Sequence, residues 1–162
     1  MEKIWAPWRM RYIDGSHKDE GCIFCNKPKE NNDRENLIVY RGRFSFAMLN
    51  LFPYTNGHTM VAPYRHTAIF EELTRDEVID IHIVTSIIIK AIKMTMNPDG
   101  FNLGYNLGRT AGAGIVDHLH FHIVPRWNGD TNFMPVIGEV KVISEHIEQT
   151  YDKILKGIEV MG

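Results

Sequence analysis

The residues best suited to chemistry are histidines. The chain has eight of them, and three fall in the run His118-Leu119-His120-Phe121-His122-Ile123-Val124. Extended backbone sends alternate side chains to opposite faces, so the three imidazoles share one face at a spacing of about 6.6–6.8 Å. Leu119, Phe121 and Ile123 then turn toward the core. Three readings fit such a face: a polar exposed strand with no role, three ligands of a catalytic metal, or one nucleophilic imidazole supported by the other two. A neutral imidazole attacks phosphorus near pH 7, and the phosphoramidate formed is reactive enough to be displaced by a second acceptor. The preceding segment favours this third reading. Phe101, Leu103, Tyr105 and Leu107 alternate there with Asn102, Gly104, Asn106 and Gly108, and glycine on a polar sheet face lets a ligand approach the backbone. The loop from Gly108 to Gly114 adds main-chain amides and Arg109, the parts of a phosphate cradle.

A second group of chemical interest is Cys22-Ile23-Phe24-Cys25. Two cysteines fill half of a tetrahedral zinc site; alternatively they are a redox dithiol or two unrelated thiols. His17, His82 and His146 have no motif around them, and His82, between Ile81 and Ile83, reads as a hydrogen-bonded structural histidine. Met94 and Met96 read as core or interface filler.

The elements that must position these residues follow from local pattern. The first twenty residues, with Trp5, Trp8 and Tyr12 around Pro7, read as an irregular arm packed on the body, and 26–36 as a solvated loop. Residues 37–40 and 44–51 are strand-like around a turn at Arg41-Gly42-Arg43, which predicts a hairpin. Another strand begins at His58. Thr74-Arg75-Asp76-Glu77 is a capping box that starts a helix. Val78, Ile81, Thr85, Ile88 and Ile92 form its apolar face, and Asn97-Pro98-Asp99-Gly100 stops it. Strands over 101–107 and 118–124 follow, then an amphipathic helix over about 144–155. The order describes an α+β fold, an antiparallel β-meander with one long helix packed on the sheet and a C-terminal helix.

With 162 residues, 44% hydrophobic and 23% charged, the chain reads as a single globular domain: an arm over 1–36, a core over 37–127 and a C-terminal extension over 128–162. Its net charge of −2 lacks the basic footprint of a protein that binds extended nucleic acid. No apolar run is long enough to cross a membrane, and the first ten residues lack the apolar core of a signal peptide, so a cytoplasmic location is expected.

The histidine run, continuing into Pro125-Arg126, resembles the signature of the histidine triad (HIT) superfamily. The likeness covers roughly 37–127, including Asn50 eight residues before His58, and Ala62-Pro63-Tyr64-Arg65-His66. Trp5-Ala6-Pro7-Trp8-Arg9-Met10, Tyr12, Asn106-Leu107-Gly108 and Pro125-Arg126-Trp127 most resemble the branch of bacterial diadenosine tetraphosphate (Ap4A) phosphorylases and hydrolases. The resemblance implies that His120 attacks an α-phosphorus to give a nucleotidyl-histidine, that His122 contacts phosphate oxygens and the leaving group, and that His118 orients the site. It also implies nucleotide contacts at Asn50 (ribose), His58, Asn106, Gly108, Gly114 and Trp127. Where hydrolases of the fragile-histidine-triad type carry glutamine, this chain has Gly114, a departure in their phosphate contact. The resemblance further implies a structural zinc held by Cys22, Cys25, His66 and His118, no organic cofactor, a small dinucleoside polyphosphate as substrate, and a homodimer. A nucleoside phosphoramidase, or a nucleotide-binding scaffold without catalysis, is the alternative.

Overall fold

A computed structural model describes residues 21–131 and 143–162. The aromatic N-terminal segment and His17 lie outside the described residues. Five strands, β1 (Ile38–Arg41), β2 (Ser45–Leu49), β3 (Thr59–Pro63), β4 (Gly100–Tyr105) and β5 (Phe121–Arg126), form one antiparallel sheet in the order β1-β2-β3-β5-β4. The helices are α1 (Ile23–Asn26), α2 (Arg75–Met96) and α3 (Ile147–Met161). The fold is therefore α+β as expected, with α2 carrying the chain from β3 across to the edge strand β4. No described helix is long and apolar enough to cross a membrane.

The expected hairpin forms, and α2 holds its turn. Asp80 accepts hydrogen bonds from the main-chain N–H groups of Phe44 (2.9 Å) and Ser45 (2.7 Å), and from the Ser45 hydroxyl (2.7 Å). Thr74 and Glu77 make the capping box, and Asn97 closes α2 in the left-handed conformation at φ 47°. Glu77 also accepts hydrogen bonds from Arg65 Nε and Nη2, each at 2.8 Å. The Arg65 guanidinium, helped by the cap and opposed by burial, pulls this carboxyl down to about 2. That ion pair anchors the bend leading to His66.

The buried face of α2 is rotated from the expected one. Ile81, Val84, Thr85, Ile88, Ala91 and Ile92 are buried, but Val78 is 50% exposed. Val78, Ile79 and Ile83 instead form an outer apolar stripe, and His82, expected to be a hydrogen-bonded structural histidine, is exposed beside them. Met94 is exposed as well, whereas Met96 packs against the core. Helix α3 starts later than expected because His146 is an extended N-cap, and it runs on to Met161. It lies very close to α2: a side chain at Gly157 would sit 2.7 Å from Ala91 Cα.

The sheet separates two interiors. On one face Val39, Ala47, Leu49, Val61 and Ile123 pack on α2 and on Tyr151 and Ile154 of α3. On the other, Ile38, Phe46, Met48, Met60 and Ala62 pack around Phe24. The expected apolar face along β4 is only half covered: Phe101 packs against the core, but Leu103 is 48% exposed and Leu107, just beyond the strand, 51%.

Candidate active site and metal group

The three triad histidines are buried, as is His58, which excludes an exposed polar strand. The ladder begins only at Phe121; Leu119 N–H donates to Thr67 O at 2.8 Å instead of to β3. Within the ladder His122 stands between Met60 of β3 and Gly104 of β4. A Cβ at Gly104 would meet nothing within 4 Å, so the sheet face beside His122 is open at this glycine, while His122 itself is buried.

Buried imidazole nitrogens need partners, and here the partners fix which nitrogen carries hydrogen. The Tyr54 main-chain N–H donates to His58 Nδ1 at 3.0 Å. His58 therefore carries its hydrogen on Nε2, which donates to His122 Nδ1 at 2.8 Å. His122 in turn carries hydrogen on Nε2, a buried atom with no hydrogen-bond partner among the described residues. His120 is set the opposite way. Its Nδ1–H donates to the His118 carbonyl at 2.9 Å, leaving a lone pair on Nε2. Two imidazoles 4.8 Å apart thus present one donor and one nucleophilic nitrogen. Burial lowers both below the ordinary histidine value, His122 to about 4 with help from His120, so both rings are neutral at neutral pH.

Aromatic rings hold this array. Phe24 stacks on His120 with centroids 4.9 Å apart, and Tyr54 lies 4.5 Å from His58 and 5.9 Å from His122. Neither ring was among the residues expected to build the site. A turn sequence and a CxxC spacing concealed them, although aromatic residues inside both segments were the available signal.

His118 Nε2–H donates to the Pro63 carbonyl at 2.9 Å, which turns its Nδ1 lone pair outward. That nitrogen lies 3.2 Å from Cys22 Sγ, 3.6 Å from Cys25 Sγ and 3.2 Å from His66 Nδ1. The four donor atoms lie within 4.8 Å of one another. Tetrahedral zinc, with bonds of about 2.0–2.3 Å, spaces its ligand atoms at roughly 3.3–3.8 Å, so the set fits a metal ion. The carbonyl behind His118 is the outer support such a ligand needs. His118 is the one triad histidine in this group, which removes the three-histidine metal reading.

The remaining predicted residues divide. Asn50 joins the histidines: its Nδ2 lies 3.4 Å from His58 Nδ1, and its Oδ1 accepts the Phe52 N–H at 2.9 Å. Asn106 reaches the cluster through Tyr54, whose hydroxyl accepts its amide at 3.4 Å. Gly108 and Gly114 lie in the exposed loop between β4 and β5, Gly108 at φ +83°. The expected cradle of free amides is corrected in part. The N–H groups of Ala111 and Ala113 bond to Gly108 O and that of Gly112 to Arg109 O, closing a tight turn on itself. Trp127 follows the far end of β5, where its indole N–H donates to Met96 O at 3.4 Å; the chain does not bring it to the histidines.

Comparison with known proteins accords with this geometry. The sequence pattern of the HIT domain matches residues 31–129. An AP-4-A phosphorylase of Mycobacterium tuberculosis is 40% identical over 158 residues, covering 93% of this chain and 80% of that protein. An adenosine 5'-monophosphoramidase of Schizosaccharomyces pombe is 36% identical over 107 residues, covering 66% of this chain and 75% of that one. The crystal structure of a Zn-bound histidine triad family protein from Mycobacterium smegmatis superposes with a TM-score of 0.71 at 25% identity, covering 87% of this chain and 95% of that chain. The chain belongs to the HIT domain family.

Proposed function

We propose that the protein is a nucleotidyl hydrolase or transferase that cleaves dinucleoside polyphosphates, Ap4A foremost, through a nucleotidyl-histidine. The observation that carries this is the opposed hydrogen placement on His120 and His122. In the proposed reaction the His120 Nε2 lone pair forms an N–P bond to the α-phosphorus, and the bond from phosphorus to the bridging oxygen breaks. The polyphosphate leaves as an anion, steadied by a hydrogen bond from His122 Nε2–H. The His118 carbonyl, already facing His120 Nδ1–H, stabilises the positive charge left on the ring. Water or inorganic phosphate then attacks the same phosphorus, and the N–P electron pair returns to Nε2. With water, one proton passes to solvent.

In this reading Asn50, His58 and Asn106 would frame the nucleotide around this pair, and the open loop with Gly108 and Gly114 would take its phosphates; Trp127, held at the far end of β5, stands apart from them. Cys22, Cys25, His66 and His118 would hold zinc, which supplies structure by pinning the α1 turn to the histidine segment. Thiols that hold zinc persist in a reducing compartment, and we place the protein in the cytoplasm. The exposed stripe of Val78, Ile79 and Ile83, with the uncovered edge at Leu103, is the surface through which we expect two copies to pair.

The test is incubation with Ap4A labelled at the α-phosphorus, quenched early and analysed for label on His120. ATP and AMP formed without phosphate identify water as acceptor; ATP and ADP formed only with phosphate identify a phosphorylase. Absence of both label and turnover would overturn the reading. Turnover of an adenosine phosphoramidate far above that of Ap4A would move it to P–N cleavage, the reaction named for the S. pombe relative.

A further inference from the structure

The loop between β2 and β3 carries the atom that sets the hydrogens on His58 and His122, and it is tied down from outside the HIT-matched segment. The Tyr54 N–H lies in the middle of this loop. Thr55 Oγ1 donates to Pro125 O of β5 at 2.7 Å, holding one side. At the next residue, Asn56 Nδ2 donates to Glu145 Oε2 at 3.1 Å, and its Oδ1 faces the Thr150 hydroxyl at 2.8 Å. That hydroxyl also lies 3.0 Å from Glu145 Oε2, so its single hydrogen is shared between two acceptors of the same cluster. Lys153 pairs with the other Glu145 oxygen. Thr150 is buried in α3, and Gly57 closes the loop at φ +79° with Met96 and Pro125 packed where a side chain would stand. Glu145, Thr150 and Lys153 all follow residue 129, where the family match ends.

We propose that Asn56, Glu145 and Thr150 are positioning residues: a latch by which the C-terminal helix holds the Tyr54 amide on His58 and so keeps the His122 hydrogen directed at the leaving group. The inference rests on the roles assigned to His120 and His122 above. Its physical content is a choice between two hydrogen arrangements. With Tyr54 N–H on His58 Nδ1, both His58 and His122 carry hydrogen on Nε2. If the loop withdraws, it also takes away the Phe52 N–H that turns Asn50 Nδ2 toward the same nitrogen, and His58 can carry its hydrogen on Nδ1. His122 then gives its own hydrogen to His58 and turns a lone pair toward the departing oxygen. A leaving oxygen that carries much negative charge loses the most by that change.

The experiment has two readouts on the intact 162-residue chain. Long-range nitrogen–hydrogen NMR correlations assign the hydrogen on each histidine ring. We expect the Nε2–H form for His58 and His122 in the wild type, and a mixture in Asn56→Ala and in Thr150→Val. Asn56→Asp, which sets a like charge against Glu145, breaks the latch without removing volume; thermal melting identifies variants that keep the fold. The second readout is turnover of a series of aryl esters of AMP. The variants should lose about tenfold on the most basic phenol leaving group and less than about twofold on the most acidic. Asn56→Gln, which retains an amide, should recover part of the loss. Folded variants with ring hydrogens unchanged from wild type, or with equal losses across the series, would overturn the latch. A wild type that turns over nothing would overturn the functional reading instead, and the NMR comparison would still decide the latch.

Discussion

The two faces of the sheet solve different physical problems. Behind it, Ala47, Leu49, Val61 and Ile123 meet the aliphatic side of α2, and what matters there is filled volume. In front of it, His58, His118, His120 and His122 are buried too, and what matters is direction: each ring is aimed by a particular donor or acceptor. Three of those aiming groups belong to the main chain, the Tyr54 amide and the Pro63 and His118 carbonyls. The difference teaches where each face is vulnerable. The rear face responds to lost methylenes and the front face to lost atoms of correct polarity.

A paired substitution breaks the comparison most sharply. His120→Ala should reduce turnover by three orders of magnitude or more while leaving a folded protein. Ile88→Ala should cost about 2–5 kcal/mol of stability with turnover per folded molecule within about twofold. Steady-state kinetics and denaturant titration of both variants check the pair; a large kinetic loss in Ile88→Ala would show that the faces are not separable. Next in size, metal analysis should find about one zinc per chain in the wild type and essentially none in Cys22→Ser. Unchanged stoichiometry would remove the metal group from the front face.

The smallest effect concerns pH. Burial, and then His120, disfavour the charge on His122 and push it from an ordinary 6.5 down to about 4 in the folded chain. As pH falls below 6.5 the unfolded chain takes up a proton that the folded one refuses, so stability falls with acid and levels off only below the folded value. Across that window His122 should account for roughly 2–3 kcal/mol. The loss should be absent from His122→Asn, measured by denaturation between pH 7 and 4. A rear-face variant such as Ile88→Ala should retain it.

Much of the architecture was legible because it is written locally. The capping box at Thr74 and Glu77, the turn at Gly42 and the alternation of the histidine run are short-range patterns, and each appears in the structure. The metal donors were named through family likeness, and Cys22, Cys25, His66 and His118 do converge. What escaped depends on contacts between distant segments. The periodicity of α2 admits two neighbouring faces, and packing against α3 at Ala91 and Ile154 selects the one that exposes Val78. Phe24 and Tyr54 gain their roles from the rings they meet, and Asn56 from Glu145, 89 positions away. The main-chain groups that aim the imidazoles have no residue type to betray them.

His118 contributes two separate parts of itself. Its ring faces Cys22, Cys25 and His66, while its carbonyl oxygen receives the His120 hydrogen. A carbonyl is present whatever side chain is attached, so the orientation of His120 places no demand on residue identity at 118. A library covering this position should therefore split two traits. Metal retention should follow side-chain chemistry, and formation of the His120 adduct should persist wherever the backbone keeps its path.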